Sequence, residues 1–319
     1  MKESPKILCV SANPALDRRI AVQQLRVGEV NRAIGAEPAA GGKSAHVAFV
    51  AHTLGAEVRW LAFLGGPEGE DCCAGIRVRG VTPVVVPIAG RTRTNLELID
   101  TASGAVTEIL EPGPTISEVE KVRFLDEFQT QLRDVGVAIL SGSLPSGVGN
   151  LFYAELVKIA KTAGCQVLLD TSGEALTMAL EAAPDLIKPN AQEVSTLLGR
   201  PIHSVDDAIA AAKELQNRGL RIVIISLGAL GAVAVSGQSV LHGTAPEVKP
   251  VSTVGSGDSF LAGWAVAETH GLPLTECLRT AIACGTANCL ADSPGVFPIE
   301  LIQQFSPEVH ISECNTSNG

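Results

Sequence analysis

A short segment toward the C-terminus combines glycines, small hydroxyl residues and an acid in an order that could handle an anion. Residues 252–260 read Ser-Thr-Val-Gly-Ser-Gly-Asp-Ser-Phe and lead into an apolar helical pattern. Gly255 and Gly257, with Ser256 between them, would let the main chain approach a phosphate, and the free N–H groups of the helix's first turn would stabilise its charge. Asp258 in the same turn could accept the proton of an attacking hydroxyl.

The same residues also have a purely structural interpretation. Gly-Ser-Gly-Asp makes a good turn, and Asp is among the favoured residues for capping the N-terminus of a helix. For this tetrapeptide alone the structural interpretation is the stronger one. The role of Asp258 therefore depends on what the rest of the chain contains.

Along most of the chain, apolar segments of strand length alternate with helical patterns. The strand-like segments are 6–11, 58–64, 137–140, 166–170, 186–188 and 221–226. The helical patterns among them are 44–54, 68–78, 151–163, 174–183, 192–198 and 205–217. This alternation predicts an α/β fold with a doubly wound, mainly parallel sheet flanked by helices, in a single domain over residues 1–319.

Two stretches break this alternation. Residues 18–35 and 92–111 contain short alternating segments punctuated by Gly or Pro, a pattern typical of antiparallel strands. We expect them to form a small β-sheet lid beside the main sheet. After residue 255 the pattern is helical, and the polar tail after Phe305 is expected to be loose.

Composition excludes several classes of function. The formal net charge is −10, so we expect no general attraction to nucleic acid or to an anionic membrane, and no apolar run is long enough to span a membrane. The eight cysteines show neither zinc-site spacing nor a disulfide framework. The N-terminal residues do not look like a signal peptide, which predicts a cytoplasmic protein.

Several further motifs precede the 252–260 segment. They are Asn-Pro-Ala-Leu-Asp at 13–17, Gly-Glu-Val-Asn-Arg at 28–32, Ala-Gly-Gly-Lys-Ser-Ala-His-Val at 40–47, Thr-Arg-Thr-Asn at 92–95, Lys-Pro-Asn-Ala-Gln-Glu at 188–193 and Ser-Leu-Gly-Ala-Leu-Gly at 226–231. In this order they resemble the motifs of the ribokinase-like carbohydrate kinases, also called the phosphofructokinase B family, whose signature is Gly-x-Gly-Asp. The resemblance implies a ribokinase-like fold and ATP-dependent phosphorylation of a sugar, with Asp258 as the base and the 255–257 turn stabilising the transferred group.

The first motifs are implied to bind the sugar. Asp17 resembles the family's sugar-binding Asp, whose carboxylate accepts hydrogen bonds from sugar hydroxyls, and 28–32 resembles the lid strand that follows it. Gly41, Gly42 and Lys43 resemble a glycine turn that opens a helix beside the sugar. Without the resemblance, the same Asn-Pro and Leu-Asp pairs would be ordinary turn residues.

Two positions depart from the family's glycine-turn motif. Ser44 stands where Gly is usual, and His46 stands where the family has an Asn that contacts the sugar. A lone His on a helix is more often solvated or part of the core than a ligand. His46 is nevertheless a candidate substrate-binding residue, and its departure bears on the identity of the sugar.

Arg93 resembles the Arg that binds the substrate's own phosphate in the phosphosugar branch of the family. A planar guanidinium can bind phosphate oxygens in pairs. Alternatively, Arg91 and Arg93 are the solvated face of an edge strand, and the resemblance favours the functional interpretation for Arg93. Ser141 is a further substrate-binding candidate, because it follows the buried strand 137–140 and ligands collect at the carboxyl ends of strands in open α/β sheets.

The later motifs are implied to bind the nucleotide. The candidate ATP-binding residues are Lys188, Asn190, Ser226, Gly228, Gly231, Gly257 and Asn288. Asn190 and Glu193 lie three residues apart on one face of a helix and could hold Mg²⁺ through its water shell. A capping box would explain the same pair, and both roles can coexist.

The resemblance thus implies transfer of the ATP γ-phosphoryl group to a hydroxyl of a hexose phosphate, with Mg²⁺ and with room for a monovalent cation. The motifs look most like the 1-phosphofructokinase branch, which makes conversion of fructose 1-phosphate to fructose 1,6-bisphosphate the first hypothesis. Tagatose 6-phosphate and fructose 6-phosphate are the alternative substrates. An inert sugar-phosphate sensor on the same fold is the alternative of a different class. In this family the lid often forms a dimer contact, so a second copy of the chain is an expected partner.

Overall fold

The structure is a computed structural model that describes residues 4–314. These residues form two sheets and the helices around them. The strands are β1 (Lys6–Ser11), β2 (Ala15–Val22), β3 (Ala33–Gly41), β4 (Glu57–Leu64), β5 (Thr82–Pro87), β6 (Arg93–Asp100), β7 (Val106–Ile109), β8 (Val137–Ser141), β9 (Gln166–Asp170), β10 (Leu186–Ile187), β11 (Ile222–Ser226), β12 (Ala232–Ser236), β13 (Ser239–Thr244) and β14 (His310–Glu313). The α-helices are α1 (Lys43–Thr53), α2 (Gly66–Val78), α3 (Glu118–Gln131), α4 (Phe152–Thr162), α5 (Gly173–Leu180), α6 (Ala191–Leu198), α7 (Val205–Gln216), α8 (Ser256–Thr269), α9 (Leu274–Cys289) and α10 (Ile299–Phe305).

The larger sheet has ten strands in the order β14-β13-β12-β11-β10-β9-β8-β1-β4-β5. Its strands from β11 to β5 pair in parallel, whereas β12, β13 and β14 extend it by antiparallel pairing. The prediction of a mainly parallel sheet flanked by helices is confirmed. The prediction of a loose tail after Phe305 is wrong for β14, because pairing with β13 satisfies the main-chain groups of this four-residue strand. Residues 315–319 lie outside the described residues.

The smaller sheet has the order β3-β2-β6-β7. The β2–β3 and β6–β7 pairs are antiparallel, but β2 and β6 run parallel, which corrects the prediction of antiparallel strands throughout. The motif at 28–32 is not a strand: it forms a loop in which the side chain of Asn31 bonds to the main chain of Arg26 and Glu29. This local bonding competes with ladder formation. Since β2 follows β1 and β3 leads into α1, the small sheet is joined directly to the predicted sugar-binding motifs.

Helix α8 is buried almost from end to end and packs against α1 and α9. Small residues permit this close approach, since a Cβ on Gly263 would lie 2.7 Å from the Sγ of Cys284 in α9. The helix begins after Gly255, whose φ of 81° is in the left-handed region that favours glycine. None of the helices within residues 4–314 has both the length and the hydrophobicity of a membrane-spanning segment.

Candidate active site

The predicted site residues lie where parallel strands end. Ser141 ends β8, Lys188 follows β10 and Ser226 ends β11, and these neighbouring parallel strands bring their carboxyl ends to one edge of the sheet. The N-terminus of α8 reaches the same region, because Gly257 lies against Lys188: a Cβ on Gly257 would be 3.2 Å from the Lys188 Nζ. The free N–H groups of the helix's first turn and this ammonium group together form a site that could hold a phosphate.

Asp17 lies in a polar cradle on the side of the small sheet. The main-chain N–H of Gly42 donates to its Oδ2 at 3.3 Å, and the side-chain amide of Asn95 donates to its Oδ1 at 2.9 Å. The carboxylate is buried, with Asp17 7% exposed. Gly41 and Gly42, both predicted from the sequence, thus border this carboxylate, whereas Asn95 was not among the predicted site residues. Its place on β6 directly opposite Asp17 is a register that the sequence does not reveal.

Asp258 lies in the first turn of α8 and is 5% exposed. Its Oδ2 is 2.9 Å from the Nδ1 of His46, which lies on α1. The Nε2 of the same ring is 3.8 Å from the Oδ2 of Asp17. The structure therefore brings together three residues that are far apart in sequence, and it places His46 between the other two.

Two lysines share one buried carboxylate in the site. The Nζ of Lys43 is 3.3 Å from Asp170 Oδ1, and the Nζ of Lys188 is 3.3 Å from Asp170 Oδ2. Burial alone would raise the pKa of Asp170, but the charges of Lys188 and Lys43 outweigh it and lower the pKa. The charge of Asp170 in turn raises the pKa of Lys43 against its own desolvation.

Asp170 was not predicted as a site residue. Its position at the end of the apolar strand 166–170, next to the strand that ends at Ser141, is the signal that could have identified it. The buried carboxylate connects Lys43, next to the Asp17 cradle, with Lys188, next to the turn before α8. We infer that it fixes the positions of both ammonium groups.

Arg93 binds main-chain carbonyl groups around the Asp17 loop. Its guanidinium donates to the carbonyl oxygens of Asn13 at 3.0 Å, Pro14 at 3.4 Å and Glu111 at 2.9 Å. These bonds use three of the five N–H donors of the group, and within residues 4–314 no protein acceptor engages the others. By contrast, Arg91 is exposed and pairs with Glu68. Burial lowers the pKa of Arg93 from its ordinary value.

Buried polar atoms face the same region without a protein partner among residues 4–314. They are Asn13 Oδ1, Asn95 Oδ1 and Ser141 Oγ. Asn13 belongs to the Asp17 loop, Asn95 holds Asp17, and Ser141 ends β8 and is 1% exposed. Since buried polar groups in proteins are hydrogen-bonded, these atoms are suited to accept or donate bonds to a polar ligand or to water.

Asn288 supports the turn that precedes α8. Its amide nitrogen donates to the carbonyl of Val254 at 2.7 Å, and its Oδ1 accepts from the main-chain N–H of Gly295 at 2.8 Å and from Ser259 Oγ at 3.1 Å. Asn288 is 1% exposed. These contacts give it a structural position beneath the turn, and direct contact with a nucleotide stays a prediction.

The remaining nucleotide-side candidates lie on the loops after β10 and β11. A single 3-10 turn begins at Gly228 and is followed by Gly231, which is packed so closely that a Cβ would be 1.9 Å from the carbonyl oxygen of Gly243. Asn190 and Glu193 form the capping box at the start of α6 that the sequence allowed. Their bonding uses Asn190 Oδ1 and one Glu193 oxygen, so the other carboxylate oxygen remains for a cation or its water shell.

The chain matches the model of a family described as pfkB family carbohydrate kinase over residues 5–299. It is 33% identical to a 1-phosphofructokinase of Bacillus subtilis (strain 168) over 306 residues, which cover 96% of this chain and 99% of the relative. It is 32% identical to a tagatose-6-phosphate kinase of Staphylococcus epidermidis over 310 residues, which cover 96% and 99%. Among solved structures, phosphofructokinase-2 of Escherichia coli is 28% identical. Its tetrameric inhibited form has a TM-score of 0.89 and covers 96% of this chain and 99% of that one.

Proposed function

Because this chain belongs to the pfkB family of carbohydrate kinases, which transfer a phosphate group to a hydroxyl, we propose that it phosphorylates a ketohexose phosphate. The proposed preferred substrate is fructose 1-phosphate, and the product is then fructose 1,6-bisphosphate. One observation carries the proposal. Asp258 lies both beside the 255–257 turn and, through His46, beside the Asp17 cradle. A hydroxyl held by Asp17 would therefore lie near a base that is itself next to the turn proposed to hold the transferable phosphate.

In the proposed reaction, Asp258 accepts the proton of the sugar hydroxyl while its oxygen attacks the γ-phosphorus of ATP. The new P–O bond forms as the bond to the bridging oxygen breaks, and ADP leaves with that electron pair. The N–H groups of the 255–257 turn and the Lys188 ammonium stabilise the negative charge that moves between the oxygens. Asp17, Gly42 and Lys43 orient the sugar.

The residues present fit magnesium bound as the ATP complex. No cluster of three or more His, Cys, Asp or Glu side chains suited to a metal occurs in residues 4–314, and magnesium held mainly by phosphates and water needs none. Asn190 and Glu193 are the proposed residues that hold its water shell. The ion would supply charge neutralisation on the triphosphate. A monovalent cation is a further proposal, since a relative's structure is described as a complex with potassium.

Arg93 is the proposed ligand of the phosphate that the sugar already carries. Its unused N–H donors and its place beside the Asp17 loop support this role. A fructofuranose ring has a hydroxymethyl arm on each side of the ring oxygen, so one site can anchor a phosphate on either arm. Tagatose 6-phosphate and fructose 6-phosphate are therefore the alternative substrates, and the name of the Staphylococcus relative favours the first of them.

We also propose a homodimer through the small sheet, acting as a lid over the sugar, in a cytoplasmic enzyme. Large apolar side chains are exposed on this sheet and its loop, with Val27 95%, Val30 89% and Ile34 66% exposed. Such a cluster is typical of an interaction surface. A tetrameric structure is described for the E. coli relative.

A kinetic panel tests the proposed function. Fructose 1-phosphate, tagatose 6-phosphate, fructose 6-phosphate and fructose are compared with magnesium ATP by coupled ADP release. We expect fructose 1-phosphate to give the highest kcat/KM, and a clearly higher value for another sugar would assign that sugar instead. Tight binding of a phosphosugar without any turnover would support the inert sensor.

A further inference from the structure

His46 has both ring nitrogens directed at carboxylates. Its Nδ1 is 2.9 Å from Asp258 Oδ2, and its Nε2 is 3.8 Å from Asp17 Oδ2. The residue is 6% exposed, and the main chain of Gly295 packs against it so closely that a Cβ there would be 2.9 Å from the His46 Cα. The ring is therefore confined between α8 and β2.

The positions of the carboxylates determine which form of the ring fits. A neutral imidazole has one N–H group and one lone pair, so one nitrogen would place its lone pair against carboxylate oxygen. The imidazolium form has an N–H on each nitrogen, so it can donate a hydrogen bond to Asp258 and at the same time form an ion pair with Asp17. The geometry thus favours the doubly protonated ring.

The other charged groups around the ring act in the same direction. Glu97 on β6 and Glu108 on β7 add negative charge, although Glu97 also pairs with Arg19. The nearest lysine on the same helix, Lys43, is held by Asp170. Burial alone would lower the pKa of His46, but the hydrogen bond to Asp258 and the charges of Asp258, Asp17 and Glu97 outweigh it and raise the pKa.

We propose that His46 is a positioning residue whose imidazolium form bridges Asp17 and Asp258 and holds the two buried carboxylates in place. The inference rests on the proposed function in taking Asp258 as the base. Two carboxylates near each other in a buried site repel, and a positive charge between them offsets this repulsion. An ionised Asp258 is the form that can accept the hydroxyl proton, and an ionised Asp17 is the form that best accepts hydrogen bonds from the sugar.

The bridge makes turnover depend on the charge of His46. As the pH rises through the raised pKa of His46, the ring loses its second proton, so it no longer attracts both carboxylates and their mutual repulsion moves them out of the bridged positions. Activity should then decline on the alkaline side. An Asn at this position can donate a hydrogen bond but cannot be charged. His46→Asn therefore removes the positive charge while keeping a hydrogen-bond donor.

The first test measures the titration of His46 directly and needs no turnover. The pKa of the ring is followed by NMR in the parent, in Asp17→Asn and in Asp258→Asn. We expect a value above the ordinary one of about 6.5 in the parent and a lower value in each variant, because each has lost one negative neighbour. A parent value at or below the ordinary one, or values unaffected by both substitutions, would overturn the bridge. Since this readout is independent of catalysis, it decides on the bridge even where the kinetic panel rejects the proposed function.

The second test links the bridge to catalysis. The pH profile of kcat is compared for the parent, His46→Asn and His52→Asn. His52→Asn is the control, because His52 is an exposed residue at the other end of α1. In the parent and in His52→Asn, kcat should fall on the alkaline side, approaching a slope of about tenfold per pH unit above the His46 pKa. In His46→Asn this decline should be absent. A His46→Asn profile parallel to that of the parent, merely lower at every pH, would mean a structural role and would overturn the proposal.

Discussion

Gly41 lies directly against the carboxylate of Asp17. A Cβ on Gly41 would be 1.8 Å from Asp17 Oδ2 and 2.7 Å from Oδ1. A side chain at this position would therefore displace the Asp17 carboxylate. The close approach is a property of the β2–β3 pair, in which Asp17 is opposite Ala39 and Gly41 is opposite Ala15.

Gly41→Ala should therefore weaken sugar use by moving Asp17 out of its cradle. We expect kcat/KM for the phosphosugar to fall by about 10- to 100-fold, the range for losing hydrogen bonds to a charged group, while the KM for ATP stays within a few-fold. Gly35→Ala is the matched control, because Gly35 lies on the same strand with nothing within 4 Å of its Cβ position. Equal effects of the two substitutions would show that Asp17 is not the group affected.

Asp170→Asn should destabilise the fold, because it leaves the buried ammonium of Lys188 and the nearby Lys43 without their counter-charge. We expect a loss of about 3 kcal/mol in the free energy of unfolding, measured by denaturant titration. Asp134→Asn is the control: Asp134 is half exposed and pairs with Lys6 and Arg59 at the surface, so its loss should cost less than about 1 kcal/mol.

The pH dependence of the Asp170 effect has a definite sign. Since the pKa of Asp170 is lowered, its contribution is present above the ordinary carboxylate range and is lost only as the pH falls through the lowered value. The difference in unfolding free energy between parent and Asp170→Asn should be the same at pH 7 and pH 5. A difference that shrinks markedly between these values would mean that the lysines do not hold Asp170 ionised.

Arg93→Ala should discriminate between phosphorylated and unphosphorylated sugars. We expect kcat/KM for fructose 1-phosphate to fall by about 10- to 100-fold, because charged hydrogen bonds to the phosphate are lost, with a much smaller fall for fructose. Arg91→Ala, in an exposed pair with Glu68, should leave both values unchanged. A similar loss for both sugars in Arg93→Ala would assign Arg93 only to holding the main chain around Asn13.

The fold was predictable from sequence where each element carries its own pattern. The apolar strands 137–140 and 166–170 and the helix between them are such elements, because burial in a parallel sheet requires continuous apolar runs in the strands. The parallel β2–β6 pair and strand β14 were not predictable, because their partners are distant in sequence and β14 is only four residues long. The loop at 28–32 replaced a predicted strand for the local reason that Asn31 bonds to its neighbours.

The site was predictable to a similar extent. Motif order identified Asp17, Lys43 and Asp258, and the structure brings their surroundings together, although their roles remain proposals. The sequence did not reveal Asp170 as the shared partner of two lysines, because a single acid at a strand end has no distinctive spacing. It also could not show that His46 lies between the two carboxylates, since that relationship depends on how α1 packs against α8.

The proton-accepting role of Asp258 is the central claim, and Asp258→Asn tests it most directly. The amide keeps the size of the side chain but cannot take the proton. We therefore expect kcat with the best phosphosugar to fall by about 10²- to 10⁴-fold. The affinity for ATP, measured by calorimetry, should stay within a few-fold of the parent value. A variant with kcat within a few-fold of the parent would contradict the account and leave Asp258 only as the partner of His46.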